Sequence, residues 1–281
     1  MVDFLERVNA HGARLTGTEQ KIIEALIQQR RETAFLSGPQ LADRLNVHGA
    51  ATTRLAQKLG YKGYPDLRAA VQQELLASQD AAARMRRSVA NTAGRGQLAL
   101  LVDSEIRALE NLLEMVAQAD LDRAADMLFA AKRVFLFGQG HAGAISAFLQ
   151  RRLDRFGMTT IALSGRGHDM AEKLVSLGAG DLVLGLAFRK APGGYAPLMT
   201  HALAVGADTL LISDLVGLRL QPRPSLVLAA PRGRSESEFQ TPNVPFVLVG
   251  ALLLTLAERH EQPMLAALER LSDLFAILDE T

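Results

Sequence analysis

The feature that most constrains the fold of this chain is a change of pattern near residue 120. Before that point the apolar residues recur at helical spacing, whereas after it short apolar runs alternate with amphipathic helices. Five of these runs have the length of strands, and they begin at Val134, Met158, Leu182, Thr209 and Ser225. Strands that alternate with helices favour a parallel sheet covered on both faces. The sequence therefore predicts an all-α domain followed by a doubly wound parallel α/β domain, which makes the fold class α/β overall.

The domain boundaries follow from length and local composition. The chain has 281 residues, which is enough for two domains. Residues 78–96 are cationic and contain few large apolar side chains, which is typical of a linker or of a loosely packed helix. We predict a helical domain over 1–78, a basic linker with a connecting helix over 79–119, and an α/β domain over 120–281.

Composition excludes several classes of protein. The chain has no cysteine, so disulfides, thiolate zinc sites and cysteine nucleophiles are excluded. Its formal net charge is +1, so a surface for a polyanion has to be local. The first residues do not resemble a signal peptide, and the longest apolar run, 244–257, is shorter than the roughly 20 residues of a membrane span. We expect a soluble cytoplasmic protein with no membrane partner.

Two short helices in the N-terminal domain have the features of a DNA-reading unit. Capping boxes at Thr16 and Ser37 mark helix starts, and the helix after Ser37 stops at Asn46. A tight turn then leads to a helix over about 49–59, whose small and polar side chains can reach base edges in the major groove. Neighbouring cations can hold phosphates. The predicted DNA-contacting residues are His48, Ala51, Thr52, Thr53, Arg54, Gln57, Lys58 and Lys62.

Spacing alone also allows an ordinary three-helix bundle whose basic face is only solvated. Residues 47–64, VHGAATTRLAQKLGYKGY, end in Arg-x-x-x-Lys-Leu-Gly-aromatic-x-Gly-aromatic, and this segment resembles the N-terminal domain of the RpiR (MurR) family of bacterial regulators. In that family the domain precedes a sugar isomerase (SIS) domain, which residues 120–260 resemble in strand order and spacing. The resemblance implies a transcription regulator that binds double-stranded operator DNA as a homodimer or homotetramer and responds to a small-molecule effector.

One departure from the family pattern concerns the start of the reading helix. Family members usually have Ser, then Glu or Pro, then Ala-Thr-Val, where this chain has His48-Gly49-Ala50-Ala51-Thr52. The conventional serine cap is lost, so we expect a looser helix start.

A glycine loop opens the α/β domain. Residues 138–143, GQGHAG, follow a strand and match the pattern G-x-G-x-x-G. A dinucleotide site needs an acidic residue at the end of the second strand, but Leu163-Ser164-Gly165 stands there, and only Arg166 could hold a 2′-phosphate. By the resemblance, the loop amides instead cradle a sugar phosphate. The family's usual hydroxyls are absent, however, both at His141-Ala142 and in residues 187–192, AFRKAP.

Three interpretations of this altered pocket stay open. Arg189 and Lys190 can replace the hydroxyls as anion ligands; His141, Ser164 and His168 can bind a different metabolite; or the domain serves only for dimerisation. We predict no catalytic residue, metal site or cofactor, with a sugar-phosphate isomerase and an NAD(P)-sensing regulator as alternatives. The predicted ligand-binding residues are Gly138, Gln139, Gly140, His141, Ser164, His168, Arg189 and Lys190.

Two further expectations concern the surface of the molecule. The charged residues Arg232, Arg234, Glu236 and Glu238 follow the last strand and are expected to be exposed. Subunit contacts are expected along the apolar helices at 98–116 and 244–260.

Overall fold

The computed structural model describes residues 4, 7–8, 15–79, 81–90, 96–165, 167–233 and 239–279. The chain divides into two compact units. One lies within the first hundred residues and also includes Phe239, and the other begins at Leu101. Within the described ranges, no helix is both long and apolar enough to cross a membrane.

The first unit is helical throughout its described part. Both predicted capping boxes are present: the Thr16 hydroxyl accepts from the Glu19 amide, and the Ser37 hydroxyl accepts from the Gln40 amide. The core is made of fully buried side chains that include Phe4, Leu41 and Leu55. The helices are α1 (Gly17–Gln28), α2 (Arg30–Thr33), α3 (Gly38–Leu45), α4 (Ala50–Lys58), α5 (Tyr64–Gln79) and α6 (Ala81–Ala90).

Strands and helices alternate in the second unit. Helix α7 (Gln97–Met115) contains the boundary between the two units, at Leu100 and Leu101. The elements that follow it are α8 (Gln118–Ala130), β1 (Val134–Gly138), α9 (His141–Arg155), β2 (Thr160–Ala162), α10 (His168–Leu174), β3 (Leu182–Ala187), α11 (Tyr195–Ala204), β4 (Asp208–Ser213), a 3₁₀ turn (Gly217–Arg219), β5 (Leu226–Ala229), α12 (Asn243–Arg259) and α13 (Glu261–Asp279).

The five strands form one parallel sheet in the order β2-β1-β3-β4-β5. Helices α8, α9 and α12 pack on one face of the sheet, and α10 and α11 pack on the other. All six residues of β3 are buried, as expected for a central strand covered on both sides. The predicted doubly wound α/β fold is confirmed. The order reverses between β1 and β3, so the loops at the carboxyl ends of these two strands form the switch point where such folds bind ligands.

A buried ion pair stabilises the opposite, amino edge of the sheet. Asp181 directly precedes β3 and is 2% exposed. Its carboxylate accepts hydrogen bonds from the Arg133 guanidinium at 3.0 and 2.6 Å and from the Gly178 amide at 2.9 Å. Burial alone raises the pKa of Asp181, but these hydrogen bonds and the positive charges of Arg133 and Lys132 outweigh burial and hold the pKa below its usual value.

This pair makes stability depend on pH in a defined direction. Because the folded pKa of Asp181 lies below the unfolded value of about 3.9, its contribution is present above about pH 4 and is lost as the pH falls through the folded pKa. We expect Asp181→Asn to lower the free energy of unfolding at pH 7 and to differ much less from wild type at pH 3. Urea unfolding at the two pH values measures both free energies of unfolding. A difference between wild type and Asp181→Asn that is the same at pH 7 and pH 3 would contradict this expectation.

Candidate functional site

Helices α3 and α4 form a helix-turn-helix. Helix α3 ends at Leu45 and is capped by Asn46, whose φ of 52° and ψ of 53° are left-handed values that asparagine tolerates better than most residues. The Val47 amide donates to the Ala42 carbonyl at 2.9 Å, which closes the turn before α4 begins at Ala50. The predicted short helix, turn and second helix are confirmed.

The exposed face of α4 differs from the one expected. Ala51 is 6% exposed and Thr52 is 1% exposed, so the prediction that these two residues contact DNA is wrong for this conformation. The Thr52 hydroxyl donates to the Gly49 carbonyl at 3.2 Å and lies beside Gly38, where an added Cβ atom would lie 2.9 Å from it. The residues that face outward share one stripe of the helix: Ala50, Thr53, Arg54 and Gln57.

The basic residues around α4 fall into two groups. Lys58 donates to the Glu19 carboxylate at 2.7 Å, and its side chain is 30% exposed. Burial raises the pKa of Glu19, but the hydrogen bonds from Lys58 and Thr16 lower it more. Arg54 and Lys62 are exposed and available to phosphates. Lys58 therefore helps to fix α4 against α1, a role that the sequence did not suggest.

The N-cap residue Gly49 has no side chain to cap α4, and the preceding His48 compensates in part. Its Nδ1 atom accepts a hydrogen bond from the Ala50 amide at 3.2 Å. This satisfies one of the amides that a helix start leaves without an intrahelical partner, as serine or aspartate usually does. The expected loosening of this helix start is therefore offset by the imidazole, which must carry its proton on Nε2 to accept at Nδ1.

We expect His48→Ala to destabilise the N-terminal unit by about 0.5–2 kcal/mol, because the Ala50 amide loses its acceptor. His48→Ser restores a cap and is expected to recover most of this stability. Thermal unfolding of the full chain followed by circular dichroism measures both variants. If His48→Ala and His48→Ser unfold at the same temperature, the imidazole is not acting as a cap.

In the second unit, the loops after β1 and β3 meet at the carboxyl edge of the sheet. Gln139 donates through Nε2 to the Gly193 carbonyl at 2.8 Å, which joins the two loops. Gly140 has a φ of 58° and a ψ of −129°, a conformation available to glycine and costly for other residues, and α9 begins at the exposed His141. Four of the predicted ligand residues, Gly138, Gln139, Gly140 and His141, therefore lie beside the loop that carries Arg189 and Lys190.

Ser164 and His168 lie one strand further along the same edge. Ser164 follows β2, and its hydroxyl accepts from Lys173 Nζ at 3.1 Å, while Lys173 also donates to the Ala162 carbonyl at 2.6 Å. His168 begins α10 and is exposed. The structure thus places both residues after the strand that neighbours β1.

A buried carboxylate that the sequence did not suggest lies on the same edge, at the end of β4. Asp214 follows β4 and is 6% exposed. Its Oδ2 atom accepts from the Arg189 amide at 2.8 Å and from Arg232 Nε and Nη2 at 3.0 and 2.8 Å, and its Oδ1 atom accepts from the Val216 amide at 3.1 Å. The only sequence signal for this role is an acidic residue directly after a buried strand.

Arg232 is not exposed, contrary to prediction. Its side chain is 10% exposed, and its guanidinium lies 4.9 Å from the centre of the Phe188 ring. Arg234, Glu236 and Glu238, predicted to share its loop, and Arg166, considered for a 2′-phosphate, lie outside the described residues. Asp214 and Arg232 together fix the start of the loop after β3, where Arg189 has a φ of 70°.

The arrangement provides cations and amides but few hydroxyls. Arg232 compensates the charge of Asp214, while Lys190 is exposed and Arg189 is half-buried. Such groups suit an anion. In the described part of the chain, no three His, Asp or Glu side chains are grouped as a metal site requires.

Comparison with known proteins identifies the N-terminal domain. Residues 2–78 match the helix-turn-helix domain of the rpiR family. The chain therefore carries a helix-turn-helix domain similar to that of rpiR-family regulators. It is 27% identical over 227 residues to YfhH of Escherichia coli (strain K12), named an uncharacterized HTH-type transcriptional regulator, and the match covers 79% of each chain.

Two solved structures share the fold of this chain. The Vibrio vulnificus NanR protein, solved in complex with ManNAc-6P, has a TM-score of 0.61 at 18% identity, with 98% of both chains covered. The sugar isomerase domain of an RpiR transcription factor from Sphaerobacter thermophilus has a TM-score of 0.56 at 22% identity and covers 62% of this chain and 97% of its own. The predicted SIS-like fold of the second domain is therefore confirmed.

Proposed function

We propose that this chain represses or activates transcription by placing α4 in the major groove of a double-stranded operator, under the control of a small anionic metabolite. The observation that carries the proposal is the division of α4 into two faces. Leu55 and Ala56 join Ala51 and Thr52 in the buried face, whereas the opposite stripe, with Thr53, Arg54 and Gln57 on it, is exposed. Hydroxyl and amide groups on such a stripe read base edges, and the Arg54 guanidinium beside them holds a phosphate.

The chemistry of the strand ends supports an anionic effector. Arg189 and Lys190 lie on the loop after β3, and the amides at the start of α9 favour negative charge. The fold-level neighbour NanR was solved with a sugar phosphate, which makes sugar phosphates the first class to test. Because the loop at 187–192 has no hydroxyl, sugar acids and other carboxylates belong in the same set. We propose His141, Ser164 and His168 as further polar contacts, and a binding role for the domain without catalysis.

Regulation of this kind needs at least two DNA-binding domains in one assembly. Two DNA-binding domains related by a two-fold axis bind half-sites about one helical turn apart. We therefore propose a homodimer or a homotetramer that acts on DNA in the cytoplasm. We assign DNA binding to residues 1–78, the linker and connecting helix to residues 79–119, and effector sensing and assembly to residues 120–281. The effector must bind one arrangement of the assembly better than another, since equal affinity shifts nothing.

Duplex binding tests the regulator proposal directly. Binding of the purified chain to fragments from upstream of its own gene is expected to weaken steeply as salt rises, since phosphate contacts release counterions. If none of the fragments shows salt-dependent duplex binding, the proposal is overturned.

A thermal-shift screen tests the effector. We expect one class among sugar phosphates, sugar acids and simple carboxylates to raise the melting temperature of wild type, and the combined change Arg189→Ala and Lys190→Ala to abolish that rise. Arg223→Ala is the matched control, because Arg223 is an exposed cation just before β5, at the opposite edge of the sheet. A wild-type chain that responds to none of the three classes contradicts the anionic effector.

A further inference from the structure

A cation from outside the helix-turn-helix holds the carboxyl end of α4. Arg7 donates through Nη1 to the carbonyls of Leu59 and Gly60, at 3.0 and 2.9 Å. Leu59 is the residue that caps α4, and Gly60 follows it with a φ of 80°. Carbonyls at a helix end lack intrahelical partners, and the negative end of the helix dipole favours a cation. One guanidinium therefore satisfies both requirements.

The surroundings of Arg7 hold this contact in place. The guanidinium lies 4.5 Å from the centre of the Tyr61 ring. Nη1 is so close to Gly60 that a Cβ atom added there would lie 2.9 Å from it. The segment that carries Arg7 is anchored by Phe4 and Val8, which are 0% and 8% exposed and belong to the core of the first unit. The start of the chain is thus tied to the end of α4.

Helix α3 has a similar contact at its own carboxyl end. Lys21, on α1, donates through Nζ to the Leu45 carbonyl at 2.6 Å. Leu45 is the last residue of α3, the helix that does not include the proposed reading stripe. Each helix of the helix-turn-helix therefore ends against a cation from another part of the chain, and the two contacts differ in which helix they hold.

The carboxyl end of α4 is also where a small tilt displaces side chains most. The helix has nine residues and is about 13 Å long. Its amino end is fixed by the turn in which the Val47 amide binds the Ala42 carbonyl, so a tilt of about 5° around that end moves the far end by about 1 Å. Gln57 is the eighth of the nine residues and is exposed. Since N–H···O distances range only from about 2.7 to 3.2 Å, such a shift breaks a base contact by Gln57.

We propose that Arg7 is a positioning residue for operator recognition, which holds the carboxyl end of α4 so that Gln57 meets its base edge and which does not itself contact DNA. Lys58 restrains the side of α4 through the Glu19 carboxylate, whereas Arg7 restrains the backbone at the end of the helix. The inference rests on the proposed function, in which α4 reads a duplex. It extends the determinants of operator preference to the N-terminal segment of the chain.

Binding to two duplexes gives the first test. One duplex is the tightest binder that wild type selects from a random library, and the other is a shuffled duplex of the same composition. Arg7→Ala is expected to weaken binding to the selected duplex about tenfold, which corresponds to roughly one base contact, and binding to the shuffled duplex less than about twofold. The slope of log affinity against log salt is expected to stay at the wild-type value, because a lost phosphate contact would reduce it by about 0.9. Arg7→Lys is expected to recover most of the affinity, since an ammonium can donate to the same carbonyls.

Lys21→Ala is the matched control. It removes one positive charge and one cation at a helix end, as Arg7→Ala does, but it releases α3 instead of α4. Both variants are expected to lower the melting temperature. Only Arg7→Ala is expected to change the ratio of the affinities for the selected and the shuffled duplex.

A double-mutant cycle separates positioning from general stabilisation. In a Gln57→Ala background, Arg7→Ala is expected to weaken binding to the selected duplex by less than about a further twofold, because the contact that Arg7 places is already lost. A contribution of Arg7 that does not act through Gln57 would instead add in full. Circular dichroism identifies any variant that fails to fold, and Arg7→Gln, which keeps a donor without the charge, replaces Arg7→Ala in the cycle if that variant is unfolded.

Three results overturn the proposal: an unchanged affinity ratio in Arg7→Ala, equal weakening on both duplexes with a reduced salt slope, or full additivity in the cycle. The second of these would mean that Arg7 holds a phosphate directly. A wild-type chain that binds no duplex overturns the regulator proposal instead, so the two failures are distinct.

Discussion

Replacing Arg232 with alanine is expected to lower the free energy of unfolding of the α/β domain by about 3–5 kcal/mol, the cost of leaving a buried carboxylate without its cation. Asp214 is 6% exposed, so water cannot take the place of the lost guanidinium without rearrangement of the strand ends. The Arg189 amide also binds this carboxylate, so the loop that carries Arg189 and Lys190 is expected to lose order together with stability. Urea unfolding followed by far-ultraviolet circular dichroism measures the loss.

A second substitution distinguishes the effect of the unpaired charge from the effect of lost packing. Asp214→Asn in the Arg232→Ala background is expected to recover part of the stability, because it removes the unpaired charge and keeps an amide oxygen as acceptor. Lys190→Ala is the control, since an exposed side chain on the same loop is expected to change stability by less than about 0.5 kcal/mol. Equal losses for Arg232→Ala alone and for the double variant would show that the buried charge is not the cause.

The second large effect concerns DNA. Gln57→Ala and Thr53→Ala are each expected to weaken operator binding by about 1–3 kcal/mol and to leave binding to unrelated duplex nearly unchanged, because hydroxyl and amide groups carry base contacts. Arg54→Ala is expected to weaken both kinds of binding, because its guanidinium is proposed to hold a phosphate, and to reduce the slope of log affinity against log salt by about 0.9. Fluorescence anisotropy at several salt concentrations measures all three variants.

The neighbouring threonines provide the matched control. Thr52 is buried and Thr53 is exposed, although both stand on α4 and have the same side chain. Thr52→Ala is therefore expected to alter the melting temperature and to leave operator preference unchanged, and Thr53→Ala is expected to do the reverse. If both substitutions change operator preference equally, α4 does not read DNA through its exposed stripe.

Much of the fold could be predicted because its signals are local. Buried parallel strands appear as short continuous apolar runs, and β3 is such a run with all of its residues buried. The capping boxes at Thr16 and Ser37 also depend only on residues three positions apart. These signals specify where elements begin and which kind they are.

Two of the three errors concern contacts that no local pattern contains. The inward orientation of Thr52 depends on α3 and α5, since Gly38 leaves room for its hydroxyl beside Tyr64. Asp214 and Arg232 are 18 positions apart and follow two different strands. Periodicity along one strand cannot reveal their pairing. His48 as a cap was missed because imidazole is not among the usual capping side chains, although its unprotonated nitrogen accepts in the same way.

The two faces of α4 also bear on how a regulator of this kind diverges. The residues that pack the core and the residues that point outward are different positions on the same nine-residue helix. Substitutions at Ala50, Thr53, Arg54 and Gln57 therefore leave core packing intact, and effects at sites without shared partners add nearly independently. Under the proposed function, a duplicated copy of the gene can accumulate changes at these four positions and acquire a new operator while its fold and its proposed response to effector are inherited unaltered.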